Sequence, residues 1–230
     1  MAGRVVTFVP GAGSGAVSST SATSAADGMA STTWTVGTVP GAQSLSATTD
    51  GVSDAATFGA TATVGAPAAV AASAGNNQSA IAGTTLPTAL AVRVADVFDN
   101  PVPGVSVAFV ATAGSGTMAG SPATTNAQGV ATAGTWTLGP LIGTKTVTAA
   151  VPGLPAVVFT ASATVGPAAL MIVNAGNSQT ATVNTAVATA PSVRVTDVNG
   201  NPVTDVGVAF AVASGAGSAT GTSSSTNASG

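Results

Sequence analysis

The chain has 230 residues, a formal net charge of −3, and 5% charged against 45% apolar residues, so it is neither an ordinary disordered segment nor a polyelectrolyte and should fold. Its four basic residues, Arg4, Arg93, Lys145 and Arg194, form no cluster that could neutralise a row of phosphates, which argues against nucleic acid as a partner. With no cysteine, histidine or glutamate, it offers no disulfide, thiolate metal site or paired acid and base for catalysis.

Met1 to Pro10 is not a signal peptide, because its short apolar run matches the strand expected around Phe109; any export signal is expected outside this segment. Gly11-Ala12-Gly13-Ser14-Gly15 and Gly114-Ser115-Gly116 resemble phosphate loops only superficially, since no lysine follows and no helix is indicated. Further along, apolar residues alternate with small or polar ones at period two, the strand signature. Leu90, Val92 and Val94 share one face, as do Val105, Val107 and Phe109. Trp136 lies in the alternating run Thr135 to Leu138, and Val147 with Ala149, then Phe159, Ala161, Ala163 and Val165, complete the series. Turns are signalled at Asp99-Asn100-Pro101, Asn126 to Gly129 and Val151-Pro152-Gly153. The apolar stretch from Val151 to Val173 is broken by Pro152, Gly153, Pro155, Gly166 and Pro167, so no membrane insertion is expected there. About seven short strands in roughly 100 residues predict an all-β fold of antiparallel, immunoglobulin-like β-sandwiches.

These elements recur in tandem. Val92 to Val97 returns as Val193 to Val198, and Asn100-Pro101-Val102 as Asn201-Pro202-Val203, each 101 residues later. The same offset relates Gly75-Asn76-Asn77-Gln78 to Gly176-Asn177-Ser178-Gln179, Phe8 to Phe109 and Phe58 to Phe159, while Trp34 and Trp136 are one residue further apart. A period of this size marks an array of ordinary domains. The expected division is 1–65, the back of a repeat; 66–166, a complete repeat; and 167–230, the front of another. Gly65-Ala66-Pro67 and Gly166-Pro167 are then very short linkers.

Asp96 to Phe109, followed by Thr125-Asn126-Ala127-Gln128-Gly129-Val130-Ala131 and Gly143 to Ala149, resembles the bacterial Ig-like domain, group 1, of invasin- and intimin-type surface proteins. The likeness spans the complete repeat and recurs in both partial ones, departing where Asp205 replaces the glycine found at Gly104. It implies a stalk of stacked sandwiches at the bacterial cell surface, extracellular, with no cofactor.

Asp96, Asp99 and Asn100, echoed by Asp197, Asn199 and Asn201, are the one place where oxygen ligands bunch. Calcium wants six to eight oxygens, and each copy offers two carboxylates or fewer, so the tight-turn reading is favoured over a metal site. Trp136 and Trp34 are expected to pack in the core or at a domain interface rather than form a sugar platform. Phe109 and Phe159, with counterparts Phe8, Phe210 and Phe58, are read as the large residues of a small-residue core. Asn100, Pro101, Gly104 and Gly129 are expected to shape turns. Lys145, matched at an offset of 101 to Ser44, is the lone basic residue of the complete repeat without a charged counterpart. Asn77-Gln78-Ser79 and Asn227-Ala228-Ser229 fit the glycosylation pattern, a common chance match.

The expected role is a non-enzymatic structural segment of a long extracellular stalk or fibre, with neighbouring copies of the repeat as partners. One alternative is a homopolymeric filament whose partial repeats complete each other between chains. Residues 1–65 match 102–166 and 167–230 match 66–129, so 102–129 occur twice and 28 residues are surplus; a segment of a continuous array is therefore the preferred reading. A second alternative is a binding module, an adhesin or phage decoration domain recognising a glycan or host receptor. Such a site should break the repeat symmetry, and the copies differ mainly by small polar exchanges.

Overall fold

The computed structural model describes residues 2–230; Met1, the first residue of the expected first repeat, lies outside the described residues. Every regular element among them is a β-strand. The span of the first expected repeat carries β1 (Val5–Pro10), β2 (Ala16–Val17), β3 (Ser21–Thr23), β4 (Trp34–Thr35), β5 (Gly41–Thr49) and β6 (Ala56–Ala62). The middle span carries β7 (Ala69–Ala74), β8 (Gln78–Ile81), β9 (Ala91–Ala95), β10 (Ser106–Ala111), β11 (Gly116–Met118), β12 (Ala123–Thr124), β13 (Val130–Thr132), β14 (Trp136–Leu138), β15 (Gly143–Ala150) and β16 (Val157–Thr164). The last carries β17 (Leu170–Ala175), β18 (Ser192–Thr196), β19 (Gly207–Ala209) and β20 (Ser223–Ser225).

The chain is all-β, built of tandem immunoglobulin-like sandwiches, and its sheets repeat with its sequence. The order β3-β1-β5-β6 reappears as β12-β10-β15-β16, extended by β8, and the ribbon β2-β4 reappears as β11-β14. The remaining sheets are β13-β9-β7, β17-β18 and β19-β20. β1-β3, β1-β5, β5-β6, β10-β15, β15-β16, β11-β14, β2-β4, β17-β18 and β19-β20 pair antiparallel, whereas β8 joins β16 in parallel.

The residues group into two compact units, one of Met1–Ala71, Arg93–Val105 and Thr124–Ala131, the other of Ala72–Val92, Ser106–Ala123 and Thr132–Gly230. These limits do not follow the 65/66 and 166/167 boundaries of the sequence period. Each unit contains one of the two glycines expected to be linkers, Gly65 or Gly166.

In the first unit Phe8 and Leu45 are buried on the inner face of β1 and β5. The Trp34 indole N–H donates to Ser14 O at 2.6 Å, and Ser14 Oγ accepts from Ser44 N at 3.1 Å. In the second unit Val107, Phe109, Val147, Ala149, Phe159, Ala161 and Ala163 are buried as the period-two pattern predicts, and the Phe109 and Phe159 rings lie 6.3 Å apart. Trp136 is buried, its N–H donating to Ser115 O at 2.9 Å, while Ser115 Oγ accepts from Thr146 N at 2.9 Å. The two Gly-Ser-Gly loops are therefore staples that satisfy an indole and a strand edge together. Gly15 (φ 83°) and Gly116 (φ 102°) are required there, because a Cβ would run into Thr35 O and Thr137 O.

Four details depart from the sequence reading. Val165 is exposed, since β16 ends at Thr164. Phe58, expected in the core, is 50% exposed whereas Phe159 is 0% exposed; Phe58 lies on β6, the last strand of its sheet, while β16 carries β8 on its outer side. Phe210 is only half-buried. Finally, register places Leu45 opposite Phe58 and Val147 opposite Phe159, so Gln43, not Ser44, stands where Lys145 does. The one-residue slip at the tryptophans persists through β5 and closes before β6. Gln43 and Lys145 are both buried, and the Gln43 amide closes its loop by donating to Val39 O at 3.0 Å and accepting from Gly37 N at 2.6 Å.

Phe159→Ala is expected to cost about 3–5 kcal/mol in denaturant unfolding, and Phe58→Ala less than about 2 kcal/mol, because only the first leaves an enclosed cavity. Equal losses would contradict the difference in burial.

Candidate functional site

The site the structure builds most carefully is the acidic turn, and it is built twice. β9 ends at Ala95 and the chain turns through Asp96 to Asn100, returning along Pro101, which bridges to Ala95. Asp96 Oδ1 accepts from Phe98 N and Asn100 N, both at 2.9 Å, and from Asn100 Nδ2 at 3.1 Å. Its Oδ2 accepts from Asn100 Nδ2 and from Gly65 N, each at 3.0 Å. Asn100 Nδ2 also donates to Thr38 O at 2.7 Å. One carboxylate and one carboxamide thus tie together the turn, the linker glycine and the 37–40 loop, all within the first compact unit.

The second unit repeats this clasp and tightens it. Asp197 accepts from Asn199 N, Asn201 N, Asn201 Nδ2 and Gly166 N at 2.9 to 3.2 Å. Asn201 Nδ2 reaches Pro140 O at 2.8 Å, and Asn201 Oδ1 accepts from Ile142 N at 3.2 Å. Asn199 adds a bond absent from the first clasp, Nδ2 to Ala82 O at 2.8 Å; its counterpart Phe98 is exposed. Both linker glycines are held close: a Cβ on Gly65 would lie 3.2 Å from Asp96 Oδ2, and one on Gly166 3.5 Å from Asp197 Oδ2.

The side-chain bond from Asn100 holds the Asp96 carboxyl down, from the ordinary 3.8 to about 2; burial opposes it, and the N–H groups of Gly65, Asn100 and Phe98 reinforce it. At Asp197 burial is the largest influence and pushes upward. The Asn201 side chain and the N–H groups of Gly166, Asn201 and Asn199 outweigh it and leave the carboxyl below its ordinary value.

Of the three residues singled out as oxygen ligands, the structure brings Asp96 and Asn100 together and turns Asp99 elsewhere. Asp99, at φ 65°, faces Arg93, with Arg93 Nη1 2.5 Å from Asp99 Oδ1. Both Asp96 oxygens already receive N–H donors, and among the described residues no three His, Cys, Asp or Glu side chains group as a metal site would. Gly104 (φ 77°) and Gly129 (φ 71°) sit in the turns expected of them; a Cβ on Gly129 would meet Val94 O at 2.5 Å. What sequence reading missed is the far half of each clasp, Thr38 O, Pro140 O and Ile142 N. The available signal was the Asp-x-x-x-Asn spacing, kept at 96/100 and 197/201.

No protein-family model matches the chain, and no curated protein matches it. Among solved structures it is similar to the D0-D1 domain of intimin, at 24% identity over 71% of this chain and 81% of that one, with a TM-score of 0.33. It is also similar to the Escherichia coli adhesin FdeC, at 21% identity over 80% of this chain and 60% of that one, TM-score 0.45. A third is the surface-layer protein SbsC, domains 4–9, at 21% identity over 93% of this chain and 32% of that one, TM-score 0.37. The chain spans less than two thirds of the last two, and none of the three reaches a TM-score of 0.5.

Because both carboxylates sit below their unfolded-state value, their stabilisation is present above that value and is lost as pH falls below it, for Asp96 down through its folded value of about 2. Thermal melts should be level from neutral pH to about pH 5 and drop steeply below about pH 4. An Asp96→Asn, Asp197→Asn double variant should melt lower at neutral pH and show a shallower acid limb; an unchanged limb would assign the acid sensitivity to other aspartates. Millimolar calcium or EDTA should leave the wild-type melting temperature where it is.

Proposed function

We propose that the chain is a non-enzymatic structural segment of a long extracellular stalk or fibre on a bacterial surface, made of tandem group 1 bacterial Ig-like repeats divided as 1–65, 66–166 and 167–230. The observation that carries this reading is the duplicated clasp. Asp96 and Asp197 bond the backbone of the linker residues Gly65 and Gly166, and Asn100 and Asn201 bond the 37–40 and 139–142 loops. Each clasp therefore joins residues from both sides of a repeat boundary. A linker of two or three residues whose N–H is held by a buried carboxylate has little freedom to hinge, which suits a part that transmits position along an array.

The motif from Asp96 to Phe109 supports the choice of repeat family, and the near identity of the copies supports a role for the repeat itself rather than for one specialised patch. With few charges to be screened, stability rests on packing and hydrogen bonds, which suits a surface exposed to changing salt.

Immunogold labelling of intact producing cells with an antibody against residues 66–166 should place gold outside the cell, at regular intervals along thin fibres. Label confined to the cell interior would overturn the proposal. Asn201→Ala should cost about 2 kcal/mol by leaving Asp197 short of donors and should raise amide exchange at Gly166, whereas Asn227→Ala, at an exposed turn, should leave that amide protected.

A further inference from the structure

Asn199 is the one asparagine of the chain that is followed by glycine. That pair carries a chemistry of its own. A backbone nitrogen can attack the side-chain carbonyl of an asparagine just before it, and glycine, having no Cβ, leaves that approach open. The two asparagines that hold the buried carboxylates, Asn100 and Asn201, are each followed by proline, whose nitrogen has no hydrogen to give up, so their amides are shielded from the same reaction. Where the 197–201 turn has Asn199, the 96–100 turn has Phe98, with no amide to lose.

The closed turn keeps both reacting groups occupied. Asn199 Nδ2 donates to Ala82 O at 2.8 Å, and the carboxamide packs on Gly83, where a Cβ would lie 3.1 Å from Nδ2 and 3.2 Å from Oδ1. Gly200 N donates to Asp197 O at 3.1 Å, and Asn199 N donates to Asp197 Oδ1 at 2.9 Å. The nucleophilic nitrogen is thus tied to one carbonyl and the amide to another, so neither is free to turn toward its neighbour until these bonds break. All of these groups lie within the second compact unit.

We propose that Asn199-Gly200 is a site of self-modification, deamidating when the 197–201 turn opens and leaving a turn that no longer closes as before. Gly200 N attacks Asn199 Cγ and forms a new C–N bond. The Cγ–Nδ2 bond breaks, and the amide leaves as ammonia with the proton that Gly200 N gives up. Water then opens the cyclic imide at either carbonyl, giving aspartate in the ordinary chain or isoaspartate, whose backbone runs through Cγ. Nothing is oxidised or reduced, and water is the only co-reactant.

Either product undoes the turn. A carboxylate has no N–H for Ala82 O, and it adds a second negative charge at the residue whose own N–H serves the buried Asp197. Isoaspartate also lengthens the backbone between Asp197 and Asn201, which carries the Asn201 N and Nδ2 donors off the Asp197 oxygens they now reach. An opening of this turn is therefore recorded covalently, whereas an opening at Phe98 is not. The chemistry needs the turn alone and stands whether or not the chain is part of a stalk.

Peptide mapping by mass spectrometry, with isoaspartate resolved from aspartate, tests the gating. Folded wild type, urea-unfolded wild type and folded Asn201→Ala are aged side by side in mildly alkaline buffer. Asn199 should deamidate roughly tenfold or more faster in the unfolded chain than in the folded one, and Asn201→Ala should fall between, since it withdraws donors from the carboxylate that closes the turn. A second measurement needs no variant. Aged wild type separated by ion exchange should yield a more acidic fraction, modified at Asn199, that melts lower and exchanges the Gly166 amide faster than the unmodified fraction. Equal rates in folded and unfolded chains, an Asn201→Ala rate equal to that of folded wild type, or a modified fraction with unchanged melting and exchange would each overturn the proposal.

Discussion

A carboxylate removed from water in a chain this poor in charge survives only if N–H donors surround it, and that requirement organises each Asp-x-x-x-Asn turn. Asp197 is fully buried and no basic side chain pairs with it; its four donors are the Asn201 amide and the backbone of Asn199, Asn201 and Gly166. An unpaired buried charge is costly, so these donors cannot drift apart cheaply. Because one of them is Gly166 and the amide also reaches the 139–142 loop, satisfying the charge also ties Gly166 and that loop to the turn. Asp96 repeats the arrangement with fewer outside partners, since Phe98 lacks the amide with which Asn199 reaches Ala82.

The same economy runs through the core. Alanine and valine fill most inward positions, so the few large rings need fixed places. Trp136 is held by its indole bond to Ser115 O, and Phe159 by its contact with Phe109. The Gly-Ser-Gly loops serve the tryptophans because only glycine lets the loop backbone come so near Thr35 and Thr137. Small residues thus permit close layers, and serine, asparagine and aspartate satisfy the backbone groups that close approach would otherwise strand.

Period-two alternation identified the inward residues of β10, β15 and β16 correctly, because those strands bury one face and wet the other. It was less informative for β9, where Ala91 and Ala95 are buried along with Val92 and Val94. It failed at Phe58, whose pattern matches Phe159 but which lies on β6, the last strand of its sheet. The clasp was half legible. Aspartate and asparagine four residues apart announce a turn, but the carbonyls of Thr38 and Pro140 have no sequence signature, since every residue supplies one.

By itself the sequence determined the strand character, the 101-residue period, the turn positions and the absence of histidine, glutamate and cysteine, because these depend on local spacing and composition alone. Tertiary structure decided the rest. It set the register that aligns Lys145 with Gln43, the parallel pairing of β8 with β16, and the donation of the Gly65 and Gly166 N–H groups to Asp96 and Asp197. Each of these depends on which backbone groups meet across long separations in sequence, and side-chain spacing along the chain does not encode that distance.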